Sequence, residues 1–435
     1  MRDLFVTLVV FGALPFIFKR PQIGILLWCW LAYMNPHKLS WGFAHDFPFS
    51  QVVAIVILLS LLSPNLEKKV PNNREVVLLI VMLVWMFVTT LLAMYPEWAW
   101  QQWDKVWKIQ LMVFVTIIIM NKKEYLHSMV WIIALSLGFY GVKGGIFTLM
   151  TGGAYAVYGP SGTFIYGNNE IGLALIMTIP LLRYLQLNTA NFVMRRGLSA
   201  AMLLCVVSVI GTQSRGALVG LAAMGFVLML KSRNKLPLLV VLAITVPMII
   251  SFMPDAWHER MWSIREYQLD DSALGRINAW WMAFNMATQR IMGGGFESFV
   301  YTSFIMYAPE PNRVHDAHSI YFEVLGEHGF IGLFLFLSLG LSTLLSASKI
   351  IRQTKKIEEL KWMGDLAAMI QVSLVGYAAA GAFLGLAYFD LYYNLIAIIV
   401  VCKLLLKQAE LPKMSGQQPP LASGAHGVNT PHKPF

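Results

Sequence analysis

The sequence is poor in charge. Lys, Arg, Asp and Glu together make up only 13% of its 435 residues, whereas soluble proteins carry roughly a quarter of such residues. A soluble globular enzyme is therefore excluded. Hydrophobic residues make up 57% of the chain, and the mean hydropathy is +0.61. The composition predicts an all-α polytopic membrane protein.

Cysteine is also scarce, which excludes a disulfide scaffold. The three cysteines, Cys29, Cys205 and Cys402, lie far apart in apolar stretches and form no CxxC motif, so neither disulfides nor a cysteine metal site is indicated. The N-terminal stretch has no small-residue cleavage pattern. We expect it to be a retained membrane span and not a cleaved signal.

Nothing in the chain indicates a nucleic-acid partner or a repeat. The formal net charge is +10, but the basic residues sit between apolar runs and so carry topology information. No repeat of fixed period and no inverted hydropathy symmetry is visible, which disfavours a transporter built from repeated halves.

Apolar runs dominate what is present. About thirteen runs approach the length of roughly 20 residues that a membrane-spanning helix needs. We predict about twelve transmembrane helices (12–13), from runs at 4–18, 22–34, 51–63, 76–94, 106–120, 126–149, 171–187, 198–211, 216–230, 236–253, 329–347, 366–386 and 391–406.

Basic clusters occur in every second connection, which predicts that those connections are cytoplasmic. They are Lys19–Arg20, Lys68–Lys69 with Arg74, Lys122–Lys123, Arg195–Arg196, Lys231 with Arg233 and Lys235, and Lys349–Lys361.

This orientation divides the chain into four parts. Residues 1–253 form N-terminal transmembrane helices, and residues 254–328 form one long periplasmic loop carrying amphipathic surface helices. Residues 329–410 form C-terminal transmembrane helices. Residues 411–435, rich in Pro, Gly and Ser, form a disordered cytoplasmic tail.

The stretch from Pro311 to Gly329, PNRVHDAHSIYFEVLGEHG, stands out because it concentrates ionisable groups where the long loop re-enters an apolar run. Ionisable side chains are costly in a bilayer and mark functional sites by default. The alternative is a solvated loop end with a helix cap.

Three outward-facing residues suit glycosyl transfer from a lipid diphosphate. Arginine grips phosphate oxygens with paired hydrogen bonds, so Arg215 and Arg276 are candidates to hold the diphosphate. His318 is the candidate base that accepts the proton of the attacking hydroxyl. As alternatives, Arg215 caps the preceding helix, and Arg276 pairs with Asp270 or Asp271.

Further polar residues are weaker substrate-binding candidates: Arg313, His315, Tyr321, Glu323, Lys143 and Asn168. Lys143 alternatively extends its charge to the membrane surface, and Asn168 alternatively caps the next helix. A metal site from the HDAH tetrapeptide has suitable ligand types, but its spacing is not diagnostic. We predict no metal and no cofactor.

These residues lie in motifs that resemble the O-antigen ligase and O-antigen polymerase superfamily. The motifs are SRG at 214–216, GRINAW at 275–280, GGGFESF at 293–299 and AHSIYFEVLGEHG at 317–329, in the family's order. The N-terminal third resembles the branch of exosortase-associated O-glycosylation ligases.

The resemblance implies a glycosyltransferase-C-like fold in the bacterial inner membrane, with the active site facing the periplasm. It implies a metal-independent, inverting transfer of a glycan from undecaprenyl diphosphate to lipid A–core oligosaccharide. His318 would be the base, and Arg215 and Arg276 would bind the diphosphate. An O-antigen polymerase or a protein O-oligosaccharyltransferase shares this mechanism. A flippase or secondary transporter is the alternative from another class.

Overall fold

All regular secondary structure in the described part of the chain is helical. The computed structural model describes residues 1–64, 71–232, 251–262 and 271–414, together with Pro247. These contain α- and 3₁₀-helices and no β-strand, so the all-α prediction is confirmed. Several predictions lie outside the described residues: most of the run 236–253, Lys68–Lys69, Arg233, Lys235, Asp270, and residues 415–435 of the tail.

Fifteen α-helices are described. They are α1 (Arg2–Lys19), α2 (Pro21–Met34), α3 (Phe49–Ser60), α4 (Arg74–Leu91), α5 (Pro96–Ile119), α6 (Lys123–Met150), α7 (Asn168–Leu187), α8 (Phe192–Gly211), α9 (Arg215–Lys231), α10 (Asp255–Trp262), α11 (Asp271–Gln289), α12 (Tyr301–Tyr307), α13 (Ile320–Thr354), α14 (Lys361–Gly381) and α15 (Asp390–Met414).

Six of the described helices are long and apolar enough to cross a membrane. They are α4, α6, α7, α8, α13, and α14 with its preceding turn. The helices α2 and α3 are apolar but have only 14 and 12 residues, and α9 has 17. The count of twelve to thirteen spans therefore stays a prediction.

The boundaries of two predicted parts shift. Helix α13 begins at Ile320, before the predicted re-entry at residue 329, and α15 continues to Met414, into the predicted tail. Three described helices, α10, α11 and α12, lie within the predicted long loop; their placement on the membrane surface stays a prediction.

Helices α7 and α15 form the centre of the bundle. Nearly every residue from Ile171 to Leu185 is buried, and residues Asp390–Cys402 are buried without a break. A helix that is apolar on all sides either faces lipid or is surrounded by other helices, and the burial of α7 and α15 shows the second arrangement. The other helices pack around these two.

The helices run between two ends of the bundle. The loop-rich end comprises residues 36–45, 92–95, 151–167, 212–214, 290–319 and 382–389, and the basic end comprises residues 71–73, 120–122, 188–191 and 355–360. Backbone bonds join the loop-rich connections, for example from Met94 N to Gly294 O at 2.8 Å. At the basic end, the ammonium of Lys123 lies 5.5 Å from the ring centre of Trp362.

A buried carboxylate ties three helices together near the basic end. Glu75 is fully buried and accepts hydrogen bonds from Ser342 and Ser346 of α13 at 2.8 and 2.6 Å. Lys403 of α15 donates to it at 2.6 Å, and Arg74 lies 3.1 Å away. Because these bonds and charges satisfy the carboxylate, its burial is tolerated.

Helix α13 is broken at Gly329, whose φ of 68° lies in the left-handed region. The break leaves carbonyls of the preceding turn without helical partners. The amides of Gly294 and Gly295 donate to the carbonyls of Gly326 and Glu327, each at 2.8 Å. The GGG motif therefore serves to dock its backbone onto a broken helix, as glycine permits.

Replacing Gly329 with Ala is expected to destabilise the protein. The backbone of Gly329, with φ 68° and ψ −172°, is a conformation that essentially only glycine adopts and that costs other residues about 1–3 kcal/mol. An added Cβ would also collide with the carbonyl of Ile291. Thermal unfolding of the detergent-solubilised protein measures the effect as a lower midpoint.

The matched control is Gly225→Ala in α9. A Cβ at Gly225 meets no atom within 4 Å, and alanine favours a helix over glycine by up to about 1 kcal/mol. Equal midpoints for the two variants would contradict the assignment of a required left-handed residue at the break.

Candidate functional site

The segment that precedes α13 is held against α11 by Asn278. This side chain accepts a hydrogen bond from the Glu310 amide at 2.9 Å. It also donates to the carbonyls of Glu310 and Arg313, at 2.8 and 2.9 Å. Three bonds from one largely buried amide fix the course of the loop, since Asn matches the backbone in both donor and acceptor.

Trp280, which also lies on α11, holds the next part of the segment. Its Nε1 donates to the Ala317 carbonyl at 2.7 Å. Its ring stacks on Phe322 of α13, with ring centres 4.9 Å apart and planes 7° from parallel. His318 lies between these two contacts in the sequence, so its backbone is fixed from both sides.

His318 has a strained backbone, with a φ of 40°. Left-handed conformations cost a non-glycine residue of the order of 1 kcal/mol or more and persist where the surroundings impose them. The Asp316 carboxylate also accepts from the Ala317 amide at 2.7 Å. The preceding turn and the tryptophan therefore together determine where the imidazole lies.

The imidazole of His318 lies beside that of His315, with ring centres 5.0 Å apart. His315 in turn packs on Gly275 of α11, where a Cβ would stand 2.6 Å from its ring. The Nδ1 atom of His318 is buried and has no hydrogen-bond partner within the described part of the chain. A buried polar atom without a partner indicates a group available to a ligand.

The surroundings of His318 favour its neutral form. Burial lowers the pKa from its ordinary value of 6.5, and the charges of Arg276 and His315 lower it further, against the opposing effect of Asp316. At neutral pH the ring therefore carries a free lone pair, as a general base requires.

Arg276 lies on the same helix, one residue from the glycine that packs on His315. Its charge acts on His318, and it is also within electrostatic reach of Glu170 at the start of α7. Asp271, one of its two predicted partners, pairs instead with Arg313 at 3.4 Å. Arg276 is therefore within electrostatic reach of His318.

Arg215 begins α9 at the same end of the bundle. The next residue, Gly216, packs on Phe383, where a Cβ would stand 2.8 Å from the phenylalanine Cβ. Gly381, two residues before Phe383, packs on Ile320 at the start of α13, where a Cβ would stand 2.5 Å from the Ile320 Cδ1. Two successive helix contacts therefore connect Arg215 to the start of the helix that follows His318.

Two acidic side chains converge on residues 385–390, here named the strap. A Cβ at Gly385 would stand 3.3 Å from Glu323 Oε2 and 3.7 Å from Asp316 Oδ2. The amide of Ala387 donates to Glu323 at 3.2 Å. Glu323, a predicted substrate-binding residue, therefore has a role in holding the strap.

Glu327 belongs to the ionisable stretch that stood out in the sequence, but the sequence did not predict the buried partners around it. Its carboxylate accepts from the Glu297 amide at 2.8 Å and from the hydroxyl of Tyr388, in the strap, at 2.5 Å. Glu297 has a left-handed φ of 56°. The sequence FES after the glycines is the one available signal, and it does not reveal that strain.

Two other predicted binding residues are engaged in structural contacts. Arg313 pairs with Glu310 at 2.9 Å as well as with Asp271. Tyr321 donates its hydroxyl to the Ala378 carbonyl of α14 at 2.8 Å. Both contacts use the polar groups that a substrate would need.

The surroundings of Asn168 and Lys143 fit structural roles. Asn168 donates to the Thr212 carbonyl at 2.9 Å, so it satisfies the end of α8 and does not cap its own helix, whose N-cap is Gly167. Lys143 is exposed on α6, which fits a charge that extends toward a membrane surface.

No group of three His, Cys, Asp or Glu side chains is arranged to hold a metal ion within the described ranges. The HDAH tetrapeptide has its two histidine rings stacked edge to face, and the Asp316 carboxylate binds the neighbouring amide.

Two family models match the chain. The model described as O-antigen ligase matches residues 200–337, which include Arg215, Arg276 and His318. The model described as a family of unknown function (DUF5935) matches residues 1–190. No curated protein matches the chain.

The imidazole of His318 is expected to titrate below pH 6.5, because burial and two neighbouring cationic groups disfavour its charged form. Above its pKa the ring is neutral, so lowering the pKa keeps it neutral at pH 6.5. Histidine NMR of the isotope-labelled protein in nanodiscs measures the midpoint, with His318→Ala assigning the signal. A midpoint above 6.5 would contradict this electrostatic account.

Proposed function

Because the chain belongs to the O-antigen ligase superfamily through residues 200–337, we propose that it is a membrane glycosyltransferase of the bacterial inner membrane. It transfers a glycan from undecaprenyl diphosphate to lipid A–core oligosaccharide on the periplasmic side. The reaction inverts the anomeric centre and needs no metal.

One observation carries this proposal: a strained, half-buried histidine lies within electrostatic reach of an arginine, and both are in the matched segment. His318 has a φ of 40°, and its pKa responds to the charge of Arg276. A neutral imidazole accepts a proton, and a guanidinium binds a diphosphate. Glycosyl transfer from a lipid diphosphate needs both functions within one site.

The proposed step is a single displacement. The acceptor hydroxyl attacks the anomeric carbon as its proton passes to His318, and the carbon–oxygen bond to the diphosphate breaks. Undecaprenyl diphosphate leaves with the bonding electron pair, and Arg215 and Arg276 stabilise its charge. Because a diphosphate is a good leaving group, no general acid is required.

The loop-rich end supports a transferase over a flippase or secondary transporter. Transporters place ionisable groups near the middle of broken helices. Here Arg215 is the first residue of α9, and His318 precedes α13. Both lie at one end of the bundle. A substrate held there has access from one side.

The description of the matched family as O-antigen ligase supports lipid A–core as the proposed acceptor. An O-antigen polymerase would use a second lipid-linked glycan, and a protein O-oligosaccharyltransferase would use Ser or Thr. Purified protein given undecaprenyl-diphosphate glycan with lipid A–core, a second carrier glycan and a peptide in parallel distinguishes them. Product only on lipid A–core supports the proposal, and product only on another acceptor rejects it.

Replacing His318 with Ala is expected to reduce the transfer rate by about 10²–10⁴-fold, the usual contribution of a general base. Gel analysis of glycan-capped lipid A–core measures the rate. His258→Ala is the control, because His258 lies in α10 and its ring contacts Trp257 outside the histidine pair. Wild-type transfer by His318→Ala would eliminate the proposed base.

Replacing Arg276 or Arg215 with Lys is expected to lower kcat/KM for the donor by about tenfold or more. Lysine keeps the charge but cannot make paired hydrogen bonds to a phosphate. Arg196→Lys serves as the control, because its guanidinium stacks on Phe192 near the basic end. An unchanged kcat/KM for the donor in both site variants would rule out a role for these residues at the diphosphate.

A further inference from the structure

A cavity lies at the loop-rich end, outside the group around His318. Its volume is about 440 Å³, within the range of small-molecule sites. The turn after α2, α5, the connection 162–165 and the start of α15 line it. The lining residues therefore come almost entirely from the part matched by a family of unknown function.

Two lysines give this cavity positive charge. Lys38 lines it from the turn after α2, and Lys105 from α5. Lys38 lies 3.3 Å from Asp46, whose side chain is 86% exposed, so water weakens that pair. Lys105 is exposed and contacts Gln102 at 3.3 Å. Both ammonium groups can therefore bind an anion that enters the cavity.

Two further groups in the wall suit hydroxyl groups. Asp390 is only 8% exposed and forms no ion pair with any described residue. The Nδ1 atom of His37 is buried and has no hydrogen-bond partner among the residues described. Burial, together with the charge of Lys38, lowers the pKa of His37 to about 4, so its ring is neutral at pH 7. A carboxylate and a neutral imidazole bind hydroxyls.

The strap separates this cavity from the group around His318. Its residues Ala387 and Tyr388 bind Glu323 and Glu327, whereas Phe389 and Asp390 line the cavity. The charge of Lys105 also reaches Glu297, where it opposes the rise in pKa that burial causes. The cavity and the proposed catalytic site are therefore neighbours.

We propose that this cavity binds a sugar residue that carries a carboxylate or phosphate group. Lys38 and Lys105 bind the anionic group, and Asp390 and His37 bind hydroxyls of the ring, next to the exposed ring of Phe164. The inference rests on the proposed function, since a glycan is the substrate. That charged sugar belongs either to the donor glycan or to the acceptor.

Binding is tested without turnover. Saturation-transfer NMR on the full-length protein in nanodiscs uses glucuronate and glucose 6-phosphate as probes, with glucose as the neutral reference. Both charged sugars are expected to bind more tightly than glucose, and Lys105→Gln is expected to weaken them about tenfold, since a bond to a charged group is lost. Equal binding of all three sugars, or displacement by inorganic phosphate as strong as by glucose 6-phosphate, overturns the proposal.

The control is Lys108→Gln, on the same helix. Lys108 pairs with Asp104 at 2.6 Å and does not line the cavity. It is expected to bind the charged sugars as the wild type does. Equal loss in both lysine variants overturns the assignment to the cavity. His318→Ala is expected to keep the binding, so failure of catalysis and failure of this site are separable.

Kinetics distinguishes the two sources of the sugar. Lys105→Gln is assayed with donors and acceptors that each carry one charged sugar. A raised KM for the acceptor assigns the cavity to the acceptor glycan, and a raised KM for the donor assigns it to the donor glycan. Either result supports the proposal, and no change in either KM overturns it.

Discussion

The arrangement of the loop-rich end depends on one interrupted helix. A membrane gives no water to backbone groups that lose their helical partners. At Gly329 the partners come from the chain itself: Gly294 and Gly295 supply amides, and Trp85 donates from its indole to the His328 carbonyl at 2.9 Å. This docking fixes the first part of α13, and therefore the loop before it, relative to α4 and α11.

The part of α13 before the break, residues 320–328, carries the polar side chains that position the strap. Glu323 and Glu327 lie one helical turn apart and both point to the strap, where they bind Ala387 and Tyr388. Buried carboxylates are stable only with such bonds. The acids of this stretch therefore serve chiefly to position the strap. The Nδ1 atom of His318, just before the helix, has no hydrogen-bond partner among the described residues.

Sequence reasoning found the part of the site that is contiguous in the chain. His315 and His318 stand out because charged groups are rare in an apolar chain, and Arg276 follows from its placement in the long connection. The cavity beyond the strap was not predictable. Its residues Lys38, Lys105 and Asp390 come from three distant stretches, each of which reads as an ordinary helix end or amphipathic face. The break at Gly329 was hidden because the glycine lies within an otherwise continuous helical pattern.

The strap makes the two sites geometrically dependent on each other. It is six residues long, and side chains of α13 hold it at its near side, while Asp390 at its far side begins the buried helix α15. Such a connection has little freedom to move relative to either helix. A sugar bound beyond the strap would therefore stand at a fixed offset from the imidazole of His318. Positioning a hydroxyl within reach of a base is itself a large part of catalysis, so a binding cavity at a fixed distance would raise the rate of transfer without contacting the reacting atoms.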